Sequence, residues 1–555
     1  MKRVLASISA LFLGIALLPA QSQSLDPAKL LKPATDSWPT YSGDYTGRRY
    51  SPLTQINQSN VKDLALAWAT RLASGTVPAP GAPPVIVGGE GTLAVTGGSG
   101  IDRGIRGAVL QVDGVLYATM PDNVWAVDAR DGHEIWHYFW KTKGGTHTTN
   151  KGVGMWKNWI YVEMADNYLV CLDAKTGKER WHKSISNFDE QYFSSMAPIV
   201  IGNHLLVGTG NDLDEPGFLQ SLDPDTGERQ WIFYTVPMKA GDPGIETWAN
   251  ADASSHGGGN VWVPGSYDPD THLYIFGTGN PTAAYTSQLR GPGDNLYTCT
   301  LVAINVDTGK MAWYYQTSPH DTHDFDSAQT PILVDGDFNG KPRRMVLTGA
   351  RNGYFFVLDR TTGEHLVTGK LSNTINWSKP DLDKNGAPVH DPEKDYAIGG
   401  ALVNGSVTNF PPPAFSPDTG LMYVPTSDNY HMVYLTTTDK RGAMGLGGIQ
   451  EVPVISFGSY VTAMDYKTGK IAWQHRYPTA STQPGGGLNG MLVTAGKLLF
   501  TGDPSGNFIA FDPANGKPLW HSHVGVSNWP ETYMLDGHQY VLVASNDSLY
   551  AFRLN

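Results

Sequence analysis

AVDARDGHEIW, residues 126–136, recurs along the chain as CLDAKTGKERW (171–181), SLDPDTGERQW (221–231), AINVDTGKMAW (303–313), AMDYKTGKIAW (463–473) and AFDPANGKPLW (510–520). A further copy, VLDRTTGEHLV at 357–367, has Val367 where the others have Trp. In each copy a short apolar run ends in Asp or Asn and a turn closes at Gly, and in all but the copy at 357–367 Trp follows that Asp or Asn by eight positions. The acid caps a tight turn, Gly takes a positive φ, and the strand beyond carries an aromatic toward the next unit. Such a unit is the hairpin between the last two strands of a four-stranded blade, and its repetition predicts an all-β propeller.

The two ends of the chain extend this reading. After Trp520 the sequence runs through HQYVLVAS (538–545) and SLYAFRL (548–554) and stops where a turn and a Trp strand should follow. Near the N-terminus LALAWAT (64–70) supplies Trp68 on an outer strand that lacks its preceding three. Joined, the two make an eighth blade and leave no unpaired sheet edge. The expectation is therefore one ring from about Ser37 to Asn555, a single domain over residues 21–555. The intervals from Trp231 to Trp313 and from Val367 to Trp473 are long enough to hold insertions that roof one face. A Gly- and Pro-rich excursion from Ser74 to Gly107 has no assigned place in the repeat.

Composition narrows the class. Lys2 and Arg3 precede an apolar run from Val4 to Leu18 that ends in small residues around Ala20, the pattern of a secretory signal peptide over residues 1–20. The run is too short for a comfortable membrane span and no later segment is continuously apolar, so export to the periplasm as a soluble protein starting near Gln21 is expected. A net charge of −12 excludes the basic stripes of nucleic-acid binders. Cys171 and Cys299 are the only cysteines, too few for a disulfide framework or a Cys zinc site, and both are expected inside strands. There is no C-x-x-C-H haem motif, and no cysteine in the signal region to carry a lipid.

The segment least like structural filler is HDTHDFDS, with His320, Asp321, His323, Asp324 and Asp326 close together. Two readings are open: a solvated acidic loop, or ligands for a hard cation, since in a strand Asp324 and Asp326 would project to one side.

GPGDNLYTCTLVAINVDTGKMAWYYQTSPHDTHDFDSAQTPILV (291–334), RRMVLTGARNGYFFVLDRTTGEHL (343–366) and WPTYSGDYTGRRYSPLTQIN (38–57) resemble the pyrroloquinoline quinone-dependent alcohol dehydrogenases, in that family's order and along nearly the whole mature chain. The resemblance implies pyrroloquinoline quinone with a calcium or lanthanide ion as cofactors and an alcohol as substrate. It makes Asp324 the catalytic base and Arg351, in GARNG, the residue touching the quinone oxygens. Asn280 in FGTGNP and Asp212 in GTGND match metal ligands, Asp212 standing where the family usually has glutamate. Lys151, Ser195 and Thr209 match positions that hold the cofactor, Lys151 where arginine is more common. Asp326 matches the extra aspartate that accompanies a lanthanide. With neither a haem motif nor a nicotinamide fingerprint, a separate electron acceptor, a soluble cytochrome c, is the implied partner.

Three features depart from the family. Gly145 and Thr146 stand where it has an adjacent-cysteine disulfide over one face of the quinone. The tryptophan for the other face is expected just before Gly257, where ADASSHGGG offers Ser254, Ser255 and His256. A tryptophan expected near Leu488 is also missing. A non-catalytic scaffold propeller, or one that binds another ligand, is the competing reading.

Overall fold

The repeated phrase folds as a hairpin in a computed structural model that describes residues 24–92, 104–145, 149–210, 212–437, 447–478 and 489–555. In the copy at 171–181 the Asp173 carboxylate accepts hydrogen bonds from the Thr176 N–H (2.8 Å) and hydroxyl (2.6 Å), and the Gly177 N–H donates to the Asp173 carbonyl (2.8 Å). Register slips by one residue between Cys171 and Leu172, a bulge that twists the hairpin. Gly177 has φ +67°, and a Cβ there would come within 2.6 Å of the Trp136 ring, so the turn excludes other residues on two grounds.

That contact is the link between sheets. The Trp136 indole N–H donates to the Ala174 carbonyl in the next hairpin, and Trp68, Trp181, Trp231, Trp313, Trp473 and Trp520 likewise reach Ala129, Asp225, Val306, Arg360, Pro513 and Leu64, all at 2.9 to 3.2 Å. Val367 replaces Trp where the backbones approach more closely: a Cβ on Gly369 would lie 2.0 Å from the Gly469 carbonyl oxygen. The smaller side chain is what that spacing admits.

The protein is an all-β propeller. Among the described residues there are eight sheets of four or five strands and one two-stranded sheet. The strand Leu64–Arg71 pairs antiparallel with Ser548–Leu554, completing the sheet that contains Glu531–Leu535 and His538–Ser545. Beside this closure the buried Arg49 guanidinium donates to the carbonyls of Tyr41, Met491 and Pro530 at 2.7 to 2.8 Å, tying the N-terminal segment to the C-terminal sheets.

Two details differ from the sequence expectation. Cys171 lies in the strand Tyr168–Asp173, but Cys299 precedes the strand Thr300–Asn305 at φ 48°. Its N–H and C=O bond Gly279 and Thr317 as the ladder ends, and burial pushes its thiol well above the usual range, which keeps it unreactive. The HDTHDFDS segment is irregular rather than a strand. The expected signal peptide and residues 93–103 of the Ser74–Gly107 excursion lie outside the described residues; Ile86–Gly88 of that excursion adds a parallel strand to Glu134–Trp140.

An antiparallel meander sends its first and third turns to one end of a sheet and its second turn, with the crossover to the next sheet, to the other. The Asp-to-Gly turns occupy the first end. Deleting residues 548–555 removes the partner of Leu64–Arg71, and the truncated chain is expected to lose the single cooperative melt of the full protein. Unchanged melting by circular dichroism would contradict this closure.

Candidate cofactor and metal site

The candidate residues all occupy the other end. Lys151 and Ser195 precede first strands, Asp324 and Asp326 lie in a crossover, and Thr209, Asp212, Asn280 and Arg351 sit between second and third strands. Residues separated by up to 200 positions thus share one face, because the meander delivers their loops to the same end of the sheets.

The acidic segment is not a solvated loop. Asp321, His323 and Asp326 are buried. The Asp321 carboxylate accepts the backbone N–H of Asp324 (2.9 Å) and Phe325 (3.2 Å), an anion cap that holds Asp324 at φ 65°. The buried Arg290 donates to the Asp321 carbonyl (2.7 Å), to Ala283 (3.1 Å) and to the Asn295 side chain, fixing the loop from below. Asp321 is therefore a positioning residue that family matching alone did not single out.

Arg351 is the hub. Its guanidinium grips both oxygens of Asp324 (3.0 Å each) and one oxygen of Asp326 (2.7 Å). The second Asp326 oxygen accepts the Asn280 N–H at 2.6 Å. The two aspartates do share a face, as expected, but a turn rather than strand alternation brings them together. Burial pushes Asp212 up to about 7, with the Asp326 charge adding and Arg351 opposing. Burial also raises Asp324 well above the carboxylate range against the pull of Arg351. The set Asp212, Asp324, Asp326 and the Asn280 amide is all oxygen and carries more negative charge than one guanidinium balances, which suits a hard cation. Among the described residues no three His, Cys, Asp or Glu side chains form a ready coordination sphere, and Asp324 and Asp326 instead face Arg351.

The other candidates lie at the same end of their sheets. The Lys151 N–H donates to the Ser195 carbonyl (3.1 Å), and the Thr209 hydroxyl accepts the Asn260 amide (3.1 Å). All three candidates are buried. The Lys151 ammonium lies 5.2 Å from the ring centre of Trp262 and 4.4 Å from that of Phe410. No tryptophan stands just before Gly257, but Trp262 follows the triple glycine, half-buried, with its Nε1 lacking a partner among the described residues. Its signal was the GGGNVW spacing. Gly145 packs beside Ala165, whereas Thr146 and the segment around Leu488 lie outside the described residues.

A cavity of about 600 Å³ opens above Asp324 and Arg351. The Asp324 side chain keeps 14% of its surface exposed.

Comparison with known proteins identifies the family and the fold. The family model of the glucose/ethanol/alcohol dehydrogenase β-propeller domain matches residues 38–370 and 449–541. The quinohemoprotein alcohol dehydrogenase ADH IIB of Pseudomonas putida is 33% identical over 95% of this chain and 76% of its own. The crystal structure of quinohemoprotein alcohol dehydrogenase from Comamonas testosteroni superposes with TM-score 0.81 at 29% identity, over 96% of this chain and 83% of that one. A europium-containing methanol dehydrogenase superposes with TM-score 0.80 at 26% identity, over 95% and 99%.

The raised carboxyls make stability depend on pH. Asp212, moved from an ordinary 3.8 to about 7, and Asp321, moved by burial to about 6, keep protons in the folded state that the unfolded chain releases. Their contribution favours folding less as pH climbs through the window from about 4 to 7. Cation-free protein should melt lower at pH 7.5 than at pH 5 (roughly the two sides of that window), Asp212→Asn should flatten the decline, and calcium or lanthanum should oppose it. Calorimetric melting that rises across this range in cation-free protein, unaffected by Asp212→Asn, would contradict the assignment.

Proposed function

The chain belongs to the glucose/ethanol/alcohol dehydrogenase β-propeller family, and we propose that it is a periplasmic quinoprotein that oxidises an alcohol at Asp324, using pyrroloquinoline quinone with a calcium or lanthanide ion. The observation that carries this reading is the convergence of Asp324, Asp326, Asp212 and Asn280 around Arg351 beneath a cavity. We read the eight sheets as eight blades of one domain over residues 21–555, exported by a signal peptide at 1–20 that is then removed.

Asp212, Asn280, Asp324 and Asp326 would hold the cation. Lys151, Ser195 and Thr209 would hold the cofactor's carboxylates, with Lys151 as their counter-charge, and the Trp262 indole offers a flat face beside them. When bound, the quinone and its cation supply the two-electron acceptor for the alcohol's hydride. The chain supplies the base: the Asp324 carboxylate, open to the cavity on one side, removes the hydroxyl proton. Arg351 fixes both Asp324 oxygens, which keeps that carboxylate aimed, and offers N–H groups to oxygens that gain charge.

Asp326 bears on the choice of ion. Three carboxylates overcompensate a divalent ion and balance a trivalent one, so a lanthanide is the better match if all three bind. Electrons would leave to a separate acceptor, a soluble cytochrome c. No helix among the described residues is long and apolar enough to cross a membrane.

The test is alcohol-dependent dye reduction by protein reconstituted with quinone and either calcium or lanthanum. Lanthanum is expected to activate the parent, Asp326→Ala to abolish that preference, and Asp324→Asn to lower kcat by about 10²- to 10⁴-fold. Equal activity of Asp324→Asn and the parent would overturn the assignment of the base.

A further inference from the structure

Between Val367 and Trp473 two strands, Leu421–Thr437 and Gly448–Asp465, run far beyond the length of their counterparts. Their inner halves belong to a propeller sheet. The outer halves, 429–437 paired with 448–456, leave it and pass over the acidic loop, held from the side by Ala401–Asn404 on Tyr430–Val433. The cavity above Asp324 lies beneath them.

We infer that this cavity is a substrate chamber shaped for a primary alcohol with a bulky apolar body, aromatic or alicyclic, in preference to ethanol-sized alcohols; the inference rests on the dehydrogenase reading of Asp324. Asp324 and Arg351 lie at its wall, whereas Lys151, Ser195, Thr209, Asp212 and Asn280 do not line it. It is thus a compartment beside the proposed cofactor residues, sharing with them only the base and its arginine.

The larger part of the surface around it is apolar. One wall is aromatic: Tyr285 and Tyr396 lie with ring centres 5.6 Å apart, and His323 stacks on Phe325 at 5.2 Å. The opposite wall, from the overhanging hairpin, is aliphatic: Ile449, Pro453, Val454 and Ile455. Val454 is 55% exposed and Ile455 47%, surface that an apolar ligand would cover. The charged groups already hold one another, Arg351 on Asp324 and Asp326 and His431 on Glu451, while His323 Nε2 bonds the Lys394 carbonyl at 2.9 Å. None of these pairs awaits a charged substrate.

Size points the same way. About 600 Å³ is the room of a site that buries a drug-sized ligand, many times what ethanol fills. Each methylene moved from water to an apolar wall favours binding by about fourfold.

Two measurements on the mature protein test this. With quinone and lanthanum or calcium bound, kcat/KM for cyclohexylmethanol and benzyl alcohol should exceed that for ethanol by at least about tenfold, and Ile455→Asp or Val454→Asp should cut this ratio by about fivefold or more. Independently, calorimetry should detect 2-phenylpropan-2-ol, a tertiary alcohol that has no carbinol hydrogen to lose, and the same substitutions should weaken its binding. Oxidation of ethanol with no gain from the larger alcohols, or no binding of the tertiary alcohol to an active enzyme, would overturn the chamber and leave the dehydrogenase reading standing. Binding of the tertiary alcohol that Ile455→Asp weakens, with no alcohol oxidised, would support the chamber and overturn the dehydrogenase reading alone.

Discussion

The hydrogen bond from each repeat tryptophan indole to a backbone carbonyl of the next sheet is the constraint on which the rest of the molecule depends. At every one of these tryptophans except Trp520 a glycine lies beneath the ring and a capped turn presents the carbonyl, so one short phrase sets both the hairpin and its docking. Sheets fixed in this way all point the same end of their meanders in one direction. Six loops from four sheets then share one face.

On that face the physical problem is charge. Burial of Asp212, Asp321 and Asp324 holds their carboxyls above the ordinary range, and Arg351 offsets Asp324 and Asp326. A pair stripped of one partner would leave a costly buried charge. The cluster is therefore stable enough to preorganise, yet still anionic enough to attract a hard cation. Asp321 does a different task from its neighbours: its carboxylate is saturated by loop N–H groups, which fixes where the Asp324 carboxylate stands.

Much of this was legible before any coordinates. The hairpin phrase repeats with constant spacing because its turn chemistry is local, and the broken copies at the two ends matched as Leu64–Arg71 and Ser548–Leu554 do. The set Asp212, Asn280, Asp324, Asp326 and Arg351 was readable from short motifs in a known order. The place of Trp262 is harder to read, because a residue three positions beyond Gly259 in irregular backbone has no periodicity to place it. The conformation of HDTHDFDS escaped too: alternation implies a strand only where a partner strand exists, and here the backbone is instead capped by Asp321. The overhang of Gly448–Asp465 was visible only as a long interval, since nothing local distinguishes a strand that stays in its sheet from one that leaves it.

The central claim is that these carboxylates and the Lys151–Trp262 corner form one site, in which cation and quinone bind together. Calorimetric titration of pyrroloquinoline quinone into the protein, stripped of metal and then saturated with calcium or lanthanum, tests it most directly. Coupling of the usual size predicts quinone affinity about 5- to 150-fold higher with the cation present. Equal affinity in its presence and absence would contradict the account.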